Sequence, residues 1–254
     1  MPTNAALDFG YPWWLNYGHL AVAVPAIALL LAGYLRRWSK WTVLILGMIA
    51  LWSSVVFLLI HFGFGINTQA PLPTQSFLRS GAGRVLDLGA GTGRSSIMVL
   101  AARPQATLVA SDLFGESFDQ HFGRGESPQQ RLLGNLKAAG VEQRASIATA
   151  DMRKLPFEAG SFDAIVSAYA VDHLNRDGIK QALAEAARVV KPGGDFLLIL
   201  VANDRWAKLA FGPLLSHGGT RGREWWIPRL QEAGFQVLED GTSPVTLYLL
   251  ARRP

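Results

Sequence analysis

The chain has 254 residues, half of them apolar, with a formal net charge of +5 and no cysteine. The lack of cysteine excludes disulfides, thiolate metal sites and cysteine nucleophiles. The charge is modest and scattered, so no nucleic-acid partner is predicted, whereas a basic surface also suits anionic lipid headgroups. The apolar fraction is high for a soluble protein and indicates a segment outside a globular core.

Two apolar stretches account for this surplus. They cover about residues 15–35 and 41–60, and neither contains an acid, a lysine or an arginine. About 20 residues in a helix span roughly 30 Å, the thickness of the hydrocarbon core of a bilayer. Tryptophans flank the stretches where interfacial aromatic residues are expected, at positions 13, 14, 38 and 41. We predict a membrane hairpin over residues 1–65, and the alternative is a pair of buried helices in a soluble domain.

A second domain is predicted to follow. Residues 66–83 are rich in Gly, Pro, Thr and Gln, which is typical of a linker. Strand-like and helix-like segments then alternate over residues 84–254. This alternation predicts a parallel sheet covered by helices on both faces, with ligands bound beyond the carboxyl ends of the strands.

A glycine-rich loop opens this domain. The sequence VLDLGAGTGRSS, residues 85–96, places Gly89, Gly91 and Gly93 directly after an apolar strand. The spacing is G-x-G-x-G, which is only an imperfect match to the dinucleotide fingerprint G-x-G-x-x-G. The loop therefore predicts a nucleotide site without identifying the nucleotide.

Acidic residues at the ends of three successive strands narrow the choice of nucleotide. Asp87 lies two residues before the first glycine, Asp112 ends the second strand, and Asp151 ends the third. A dehydrogenase would need one such acid for a ribose, which leaves the third acid unexplained.

Three segments in this order resemble the motifs of class I S-adenosylmethionine-dependent methyltransferases: LDLGAGTGR, DMRKLPFEAGSFDAIVSAYAVDHL and ARVVKPGGDFLLI. The resemblance covers roughly residues 83–253 and is closest to the small-molecule branch that includes the ubiquinone and menaquinone methyltransferases. It implies S-adenosylmethionine as the cofactor and an α/β, Rossmann-like, seven-stranded sheet, here preceded by two transmembrane helices. It also implies that the last strand, VTLYLLA, is antiparallel and lies between its neighbours.

The resemblance assigns the methionine half of the cofactor to the first loop. Gly89, Gly91 and Gly93 allow the backbone to approach the methionine and ribose portions, where a Cβ would collide. Asp87 is expected to bind the ligand's ammonium directly or through water. Ser167 lies at the end of the fourth strand, where the family uses a backbone carbonyl for the same ammonium.

The adenosine half is assigned to the next two strand ends. Asp112 is expected to accept hydrogen bonds from the ribose hydroxyls, and Leu113 to provide an apolar surface for the adenine. Asp151 is expected to accept from the adenine amino group, while the Met152 amide donates to a ring nitrogen.

The candidate catalytic residues are Tyr169 and His173, which follow the fourth strand on the side expected to face the methyl group. Holding the acceptor in line with the methyl group contributes much of the rate, so a base is needed only if the acceptor loses a proton. A capping or packing role for His173 is the alternative. No Asn-Pro-Pro-Tyr-type motif occupies this position, which argues against nucleic-acid or glutamine methylation.

Two long loops are predicted to shape the acceptor pocket, residues 114–128 and 203–224. They contain His121 and His217, with Glu116 and Asp119 near the former. The spacing matches no metal-ligand pattern, so no metal site is predicted.

The sequence thus predicts a membrane-anchored methyltransferase for a small, hydrophobic or lipid-like acceptor. The alternatives are a membrane scaffold or binding protein that retains the cofactor fold, and an NAD-dependent membrane-linked dehydrogenase.

Arg36, Arg37 and Lys40 lie between the two spans, so the positive-inside rule would place the second domain outside. Because the methyl donor is cytosolic, we instead expect that domain to face the cytoplasm. The alternative that also leaves the second domain in the cytoplasm is a hairpin that enters only the cytoplasmic leaflet, bent at Pro25 and Gly33.

Overall fold

A computed structural model of the chain describes residues 7–115, 127–212, 221–243 and 245–254. The four loop residues His121, His217, Glu116 and Asp119, and the central parts of both predicted pocket loops, lie outside these ranges. The chain divides into two compact units, the hairpin unit Tyr11–Asn67 and the sheet unit, which comprises Thr68–Pro254 together with the residues before Tyr11.

The hairpin unit consists of helix α1 (Trp13–Leu35), helix α2 (Lys40–Leu58) and a π-helical turn (Leu59–Gly63) that continues α2. The two continuous helical stretches have mean hydropathies of 1.9 and 2.7. Their length and composition would allow both to cross a bilayer. In their most apolar windows, only 17% and 22% of the residues are buried within the structure. Helices in the core of a soluble domain would be mostly buried.

Small residues occupy most of the buried positions of α1 and α2. Ala23, Ala26, Ala50 and Ser53 are all at most 6% exposed. Side chains of this size allow two helix backbones to approach closely, as they do in membrane proteins. The Ser53 hydroxyl donates to the Ile49 carbonyl at 2.7 Å, so its hydrogen bond is satisfied within its own helix.

The turn between the helices has its own local contacts. The Ser39 hydroxyl caps α2 by accepting from the Thr42 amide at 3.2 Å. The Trp38 ring covers Gly33, where a Cβ would lie 2.8 Å from a ring carbon. Gly33 therefore permits a close approach, while α1 continues through Pro25 as a single helix.

The sheet unit contains seven strands and five α-helices among the described residues. The strands are β1 (Ala82–Leu88), β2 (Gln105–Asp112), β3 (Ala145–Thr149), β4 (Phe162–Ala168), β5 (Val190–Val201), β6 (Gln236–Ser243) and β7 (Thr246–Arg252). The helices are α3 (Arg94–Ala102), α4 (Pro128–Ala138), α5 (Arg176–Val189), α6 (Arg205–Phe211) and α7 (Arg223–Glu232).

The strand order is β3-β2-β1-β4-β5-β7-β6. Strands β1 to β5 pair in parallel, and β7 is antiparallel to both β5 and β6, between which it lies. The predicted seven-stranded sheet with an inserted antiparallel last strand is therefore confirmed. Strands β1 and β4 lie at the centre, so their loops meet at the carboxyl edge where a ligand is expected.

Part of the segment predicted as a linker is packed against this sheet. Phe77 is fully buried, and its carbonyl accepts from the guanidinium of Arg103 at 2.8 and 3.0 Å. The Leu78 amide donates to the buried Asp195 carboxylate at 2.9 Å. These residues belong to the sheet unit, whereas the exact domain limits given above stay a prediction.

Candidate functional site

The glycine loop leaves β1 and turns back across the carboxyl edge of the sheet. The amides of Gly89 and Ala90 both donate to the Ser111 carbonyl of β2 at 2.9 Å. Gly93 then precedes the first turn of α3. Gly89, Gly91 and Gly93 all have left-handed backbone conformations, with φ of 80°, 53° and 92°. Residues with a Cβ rarely adopt this region, which accounts for the alternating spacing of the glycines.

Gly89 also faces a close neighbour across the edge. A Cβ built at Gly89 would overlap the Cβ of Ala170 and lie 3.0 Å from Cε of Met152. The loop after β1, the turn after β4 and the segment after β3 therefore converge at this point. A larger residue at position 89 would occupy the surface that we expect to hold the ligand.

Asp112 is brought to the glycine loop. Its Oδ2 accepts from the Gly91 amide at 2.9 Å, and its Oδ1 accepts from the Phe114 amide at 3.0 Å. The carboxylate is therefore fixed at the end of β2. Leu113 follows with its side chain half exposed, as an apolar surface for a base would require.

Asp87 is fully buried beneath the loop. Its carboxylate accepts from the hydroxyls of Ser95 and Ser96 at 2.6 to 2.9 Å. Burial raises the pKa of Asp87 to about 6 and nearby Asp112 adds to this rise, although the two serine hydroxyls oppose it. Asp87 thus ties β1 to the start of α3. The predictive signal for the serines was the sequence Arg-Ser-Ser directly after the last glycine, which sequence reasoning did not use.

The segment after β3 carries Asp151 and Met152. Asp151 pairs with Arg153 at 2.7 Å, and that contact lowers the pKa of its carboxyl. Both Asp151 and Met152 are partly exposed. The pairing favours the ionised form of Asp151, in which both oxygens act only as hydrogen-bond acceptors.

Ser167 ends the buried part of β4. It is fully buried, and its hydroxyl donates to the Leu88 carbonyl at 2.7 Å. This bond ties β4 to the last residue of β1. The side chain is therefore structural, which leaves the ligand role predicted for Ser167 to its backbone.

The two candidate catalytic residues differ in backbone conformation and in their surroundings. Tyr169 has a left-handed backbone, with φ of 53°, and its hydroxyl hydrogen-bonds the Thr246 hydroxyl at 2.8 Å. A left-handed tyrosine is strained, and such strain is concentrated at functional sites. His173 lies in the 3₁₀ turn Val171–His173 and is exposed.

Residues from the start of the chain also reach this site, which sequence reasoning missed. Phe9 is buried, and its carbonyl accepts from the Thr92 hydroxyl of the glycine loop at 3.1 Å. The Asn135 side chain bonds the Asp8 backbone at 2.9 and 2.7 Å and the Thr92 carbonyl at 2.9 Å. A segment that precedes the hairpin therefore contacts and supports the glycine loop. No local sequence pattern predicts a contact between residues so far apart in the chain.

Metal ligands are not grouped in the described part of the chain. No cluster of three or more His, Cys, Asp or Glu side chains suited to a metal ion occurs there. At this site a ligand can come close to the backbone at the glycines, and carboxylates lie at the ends of the strands. This set fits a nucleoside that bears a ribose and an ammonium group.

The chain matches the family described as "Methyltransferase domain" over residues 85–194. This range runs from β1 to the start of β5 and contains every residue predicted to hold the cofactor. The match supports S-adenosylmethionine as the cofactor of this domain.

Two curated relatives and one solved structure illustrate the likeness. The ubiquinone/menaquinone biosynthesis C-methyltransferase UbiE of Syntrophotalea carbinolica is 31% identical over 137 residues, covering 54% of this chain and 52% of the relative. Its counterpart from Rhizobium johnstonii is 35% identical over 117 residues, covering 46% of this chain and 40% of the relative. The chain thus spans about half the length of these relatives or less.

The solved structure is an O-methyltransferase family protein from Burkholderia thailandensis. It superimposes with a TM-score of 0.58 at 16% identity, covering 94% of this chain and 71% of the other. At this level of identity the likeness concerns the fold alone.

Proposed function

We propose, from the methyltransferase domain matched over residues 85–194, that this protein is a membrane-anchored enzyme that methylates a small, hydrophobic acceptor with S-adenosylmethionine. The observation that carries the proposal is the carboxyl edge of the sheet. There, three left-handed glycines, the fixed Asp112 and the small Ala170 form a cradle that a single Cβ at Gly89 would fill.

The cofactor supplies a methyl group on a sulfonium, and its leaving group is neutral. Gly89, Gly91 and Gly93 would accommodate its methionine and ribose portions. Asp112 would accept from the ribose hydroxyls, for which it is held by the Gly91 amide. Asp87 would act through the loop or through water, since both of its oxygens already bind serine hydroxyls.

The remaining cofactor contacts follow from the neighbouring loops. Leu113 would lie against the adenine, and Asp151 with the Met152 amide would bind its polar edge. The backbone of Ser167 would help to bind the ammonium. These assignments rest on the family resemblance and on the convergence of the three loops around Gly89.

Tyr169 and His173 would orient the acceptor. Both follow β4, and Ala170 between them lies against Gly89. The strained backbone of Tyr169 is held by the bond from its hydroxyl to Thr246. Fixing the acceptor in line with the methyl group and excluding water would contribute most of the acceleration.

The membrane anchor is proposed from the hairpin unit. Most of its large apolar side chains are exposed and most of the buried positions of α1 and α2 carry small residues, as expected of helices that face lipid. Asp8 and Phe9 before the hairpin and residues 68–254 after it belong to one packed unit. An even number of crossings, two or none, is therefore required. We favour two crossings with the sheet unit in the cytoplasm, where the methyl donor is made.

A quinone-like ring is the acceptor class that best suits an anchored enzyme. The names of the two curated relatives describe C-methylation in ubiquinone and menaquinone biosynthesis. An acceptor of this class dissolves in the membrane, so an anchor raises its effective concentration at the enzyme.

Isothermal titration of the full chain in detergent with S-adenosylmethionine and with NAD tests the proposal. We expect binding of S-adenosylmethionine alone, and the Gly89→Val variant should lose it because the new side chain fills the cradle. Binding of NAD alone would instead support the dehydrogenase, and binding of neither would support the scaffold. Gly134→Ala is a matched control, because a Cβ there meets no atom within 4 Å.

A further inference from the structure

His61 carries two enclosed polar atoms within the membrane hairpin. It lies in the π-helical turn Leu59–Gly63, inside the apolar stretch Lys40–Gly63 that is long enough to cross a bilayer. Its Nδ1 and Nε2 are both enclosed, and neither has a hydrogen-bond partner among the described residues. A neutral imidazole has one N–H donor and one acceptor nitrogen. Leaving both unpaired in lipid is costly, and ionisable residues within membrane segments commonly mark functional sites.

Aromatic rings lie against this imidazole from both helices. The centroid of the Phe57 ring in α2 is 4.2 Å from that of His61, with 31° between the ring planes. The centroid of the Tyr17 ring in α1 is 5.9 Å from that of His61, at an angle of 45°. We call Tyr17, Phe57 and His61 the ring cluster. Aromatic side chains at such distances form a surface on which a flat ligand can stack.

The backbone that carries His61 departs from a regular α-helix. The Phe64 amide donates to the Leu59 carbonyl at 2.8 Å, a spacing of five residues, and the Ile66 amide donates to the Ile60 carbonyl at 3.2 Å. Turns of the π-helical kind are rare and occur frequently at functional sites. The irregular turn is therefore a second observation, independent of the unpaired nitrogens, that points to a site at this end of the hairpin.

The neighbouring polar side chains are satisfied. Asn16, which precedes Tyr17, is buried, and its Oδ1 accepts from the Asn67 side chain at 2.9 Å. Its own amide group donates to the Tyr11 carbonyl at 2.8 Å. The pair of asparagines thus completes its hydrogen bonds within the hairpin unit, in contrast to His61.

The charges of the hairpin disfavour an ionic ligand at the ring cluster. Between positions 11 and 67 the sequence contains no Asp or Glu, and its lysine and arginine residues are Arg36, Arg37 and Lys40. These three flank the turn at the opposite end of the hairpin. An anionic headgroup beside His61 would lack a basic partner from the hairpin, and burying an unpaired charge is costly. The ring cluster therefore suits a neutral, flat molecule with an oxygen that accepts from a ring N–H.

We propose that the ring cluster is a binding site, within the membrane hairpin, for a neutral, lipid-soluble ring compound that bears a carbonyl oxygen. The compound stacks on Tyr17 and Phe57, and the N–H of His61 donates to its oxygen. Both nitrogens are enclosed, so binding requires a side chain of the cluster to rotate, and Tyr17 is exposed to 44%.

This site gives the hairpin a role beyond anchoring. The inference rests on the proposed function for the identity of the compound, which is the methyl acceptor dissolved in the membrane. Residues 85–194, which match the methyltransferase family, do not include the hairpin, so the family match assigns it no ligand. A site that holds the acceptor on the hairpin keeps it on the same chain as the methyl donor and raises its effective concentration.

Equilibrium binding to the full chain tests the hydrogen bond from His61. The protein in phosphatidylcholine nanodiscs is equilibrated with 1,4-naphthoquinone or with naphthalene, which has the same ring skeleton without the oxygens. The chain has no cysteine that could react with the quinone. His61→Phe keeps an aromatic ring and removes both nitrogens. We expect this variant to bind the quinone about fivefold more weakly and naphthalene within about twofold of wild type, because one hydrogen bond is lost.

Two further variants separate a ligand contact from a structural role. Phe62→Leu changes the adjacent side chain, which is 80% exposed, and should leave both affinities within about twofold of wild type. His61→Gln retains a donor and an acceptor and should restore part of the affinity for the quinone. If His61→Phe changes the binding of both compounds equally, or of neither, the proposal is overturned.

Photolabelling locates the site in wild-type protein, so the proposal stays testable if His61→Phe does not fold. The full chain in the same nanodiscs is irradiated with 2-azido-1,4-naphthoquinone, and the modified peptides are identified by mass spectrometry. We expect label on residues 13–19 or 57–63, which contain the ring cluster, and excess 1,4-naphthoquinone should prevent it. Absence of such competed label from both segments would overturn the proposal.

Titration of the wild-type protein with S-adenosylmethionine keeps the two proposals apart. A chain that does not bind S-adenosylmethionine would contradict the proposed function, whatever the hairpin binds. A chain that binds S-adenosylmethionine but whose affinity for 1,4-naphthoquinone does not depend on His61 would contradict the hairpin site alone.

Discussion

The hairpin unit and the sheet unit place their apolar side chains in opposite ways. All but four of the large hydrophobic side chains that are exposed in the described chain lie in the hairpin, and the four are Leu113, Leu133, Trp206 and Leu238. In the sheet unit, side chains of the same types are buried between β-strands and helices, many of them in one core cluster. Burial of apolar surface in water stabilises the second arrangement, whereas the first would be stabilised by an apolar environment around it, as we propose. The comparison shows that the same amino-acid types can indicate an anchor or a core, depending on what surrounds them.

The largest expected effect comes from removing the hairpin. Replacing residues 11–67 with a flexible linker of about ten residues should move the protein completely from the membrane fraction to the soluble fraction, because the exposed apolar surface is lost. The sheet unit should stay folded and bind S-adenosylmethionine. Sedimentation of membranes followed by titration of the soluble protein measures both outcomes.

A matched deletion of residues 1–67 sharpens this test. It also removes Asp8 and Phe9, which contact Thr92 and Asn135. The loss of one buried aromatic side chain and several hydrogen bonds should lower the free energy of unfolding by about 2 to 5 kcal/mol relative to the linker variant. Equal stability of the two variants would show that these residues are dispensable to the sheet unit.

The second prediction concerns the orientation of the protein in the membrane. The chain has no cysteine, so single cysteines at Ser39, in the hairpin turn, and Ser80, in the sheet unit, can be labelled without background. Both positions are exposed. With two crossings and a cytoplasmic sheet unit, an impermeant thiol reagent should label position 39 in intact cells and position 80 only after permeabilisation. The reverse pattern would contradict a cytosolic methyl-transfer role, and protection of both would favour a hairpin confined to one leaflet.

The third prediction concerns the free energy of unfolding, which should depend on pH through a residue of the sheet unit, Asp87. Asp87 has a pKa of about 6 in the folded protein, against about 3.9 in an unfolded chain. The folded state therefore holds the proton more tightly, so the free energy of unfolding should fall as pH rises from about 4 to about 6. The expected fall is about 3 kcal/mol.

Asp87→Asn isolates this contribution, because the carboxyls other than nearby Asp112 titrate equally in the variant and in the wild type. Denaturant unfolding between pH 3.5 and pH 7, chosen to bracket the window of about 4 to 6, should show the wild type losing stability relative to the variant. Ser96→Ala removes a hydrogen bond that lowers the pKa of Asp87 and should extend the window upwards. A constant difference between Asp87→Asn and wild type would show that the carboxyl does not titrate there.

The smallest effect is expected for Asp112→Ala. The affinity for S-adenosylmethionine should fall by about 1 to 3 kcal/mol, because ligand hydroxyls lose a charged acceptor. Isothermal titration measures this loss, and a thermal melt checks that the Gly91 loop remains folded. Glu158→Ala, which changes an exposed acid, is the control. Unchanged affinity in a folded Asp112→Ala protein would remove this residue from the site.

Most of the fold could be predicted from the sequence because its signals are local. Apolar runs of about 20 residues indicate the hairpin helices, and alternating strand and helix patterns indicate the parallel sheet. The glycine spacing after β1 follows from three left-handed residues in one short loop. The antiparallel position of β7 followed from the family resemblance and was confirmed by the strand order.

Contacts between distant segments were decided only by the tertiary structure. The support of Thr92 by Phe9 and the packing of Phe77 against Arg103 leave no periodic trace in the sequence. Each depends on how elements far apart in the chain are brought together, and a hydrogen bond needs a separation of about 3 Å that no composition or period specifies. The sequence thus determined the two units and the edge of the sheet where a ligand is expected, whereas the folded sheet determined which side chains are satisfied there.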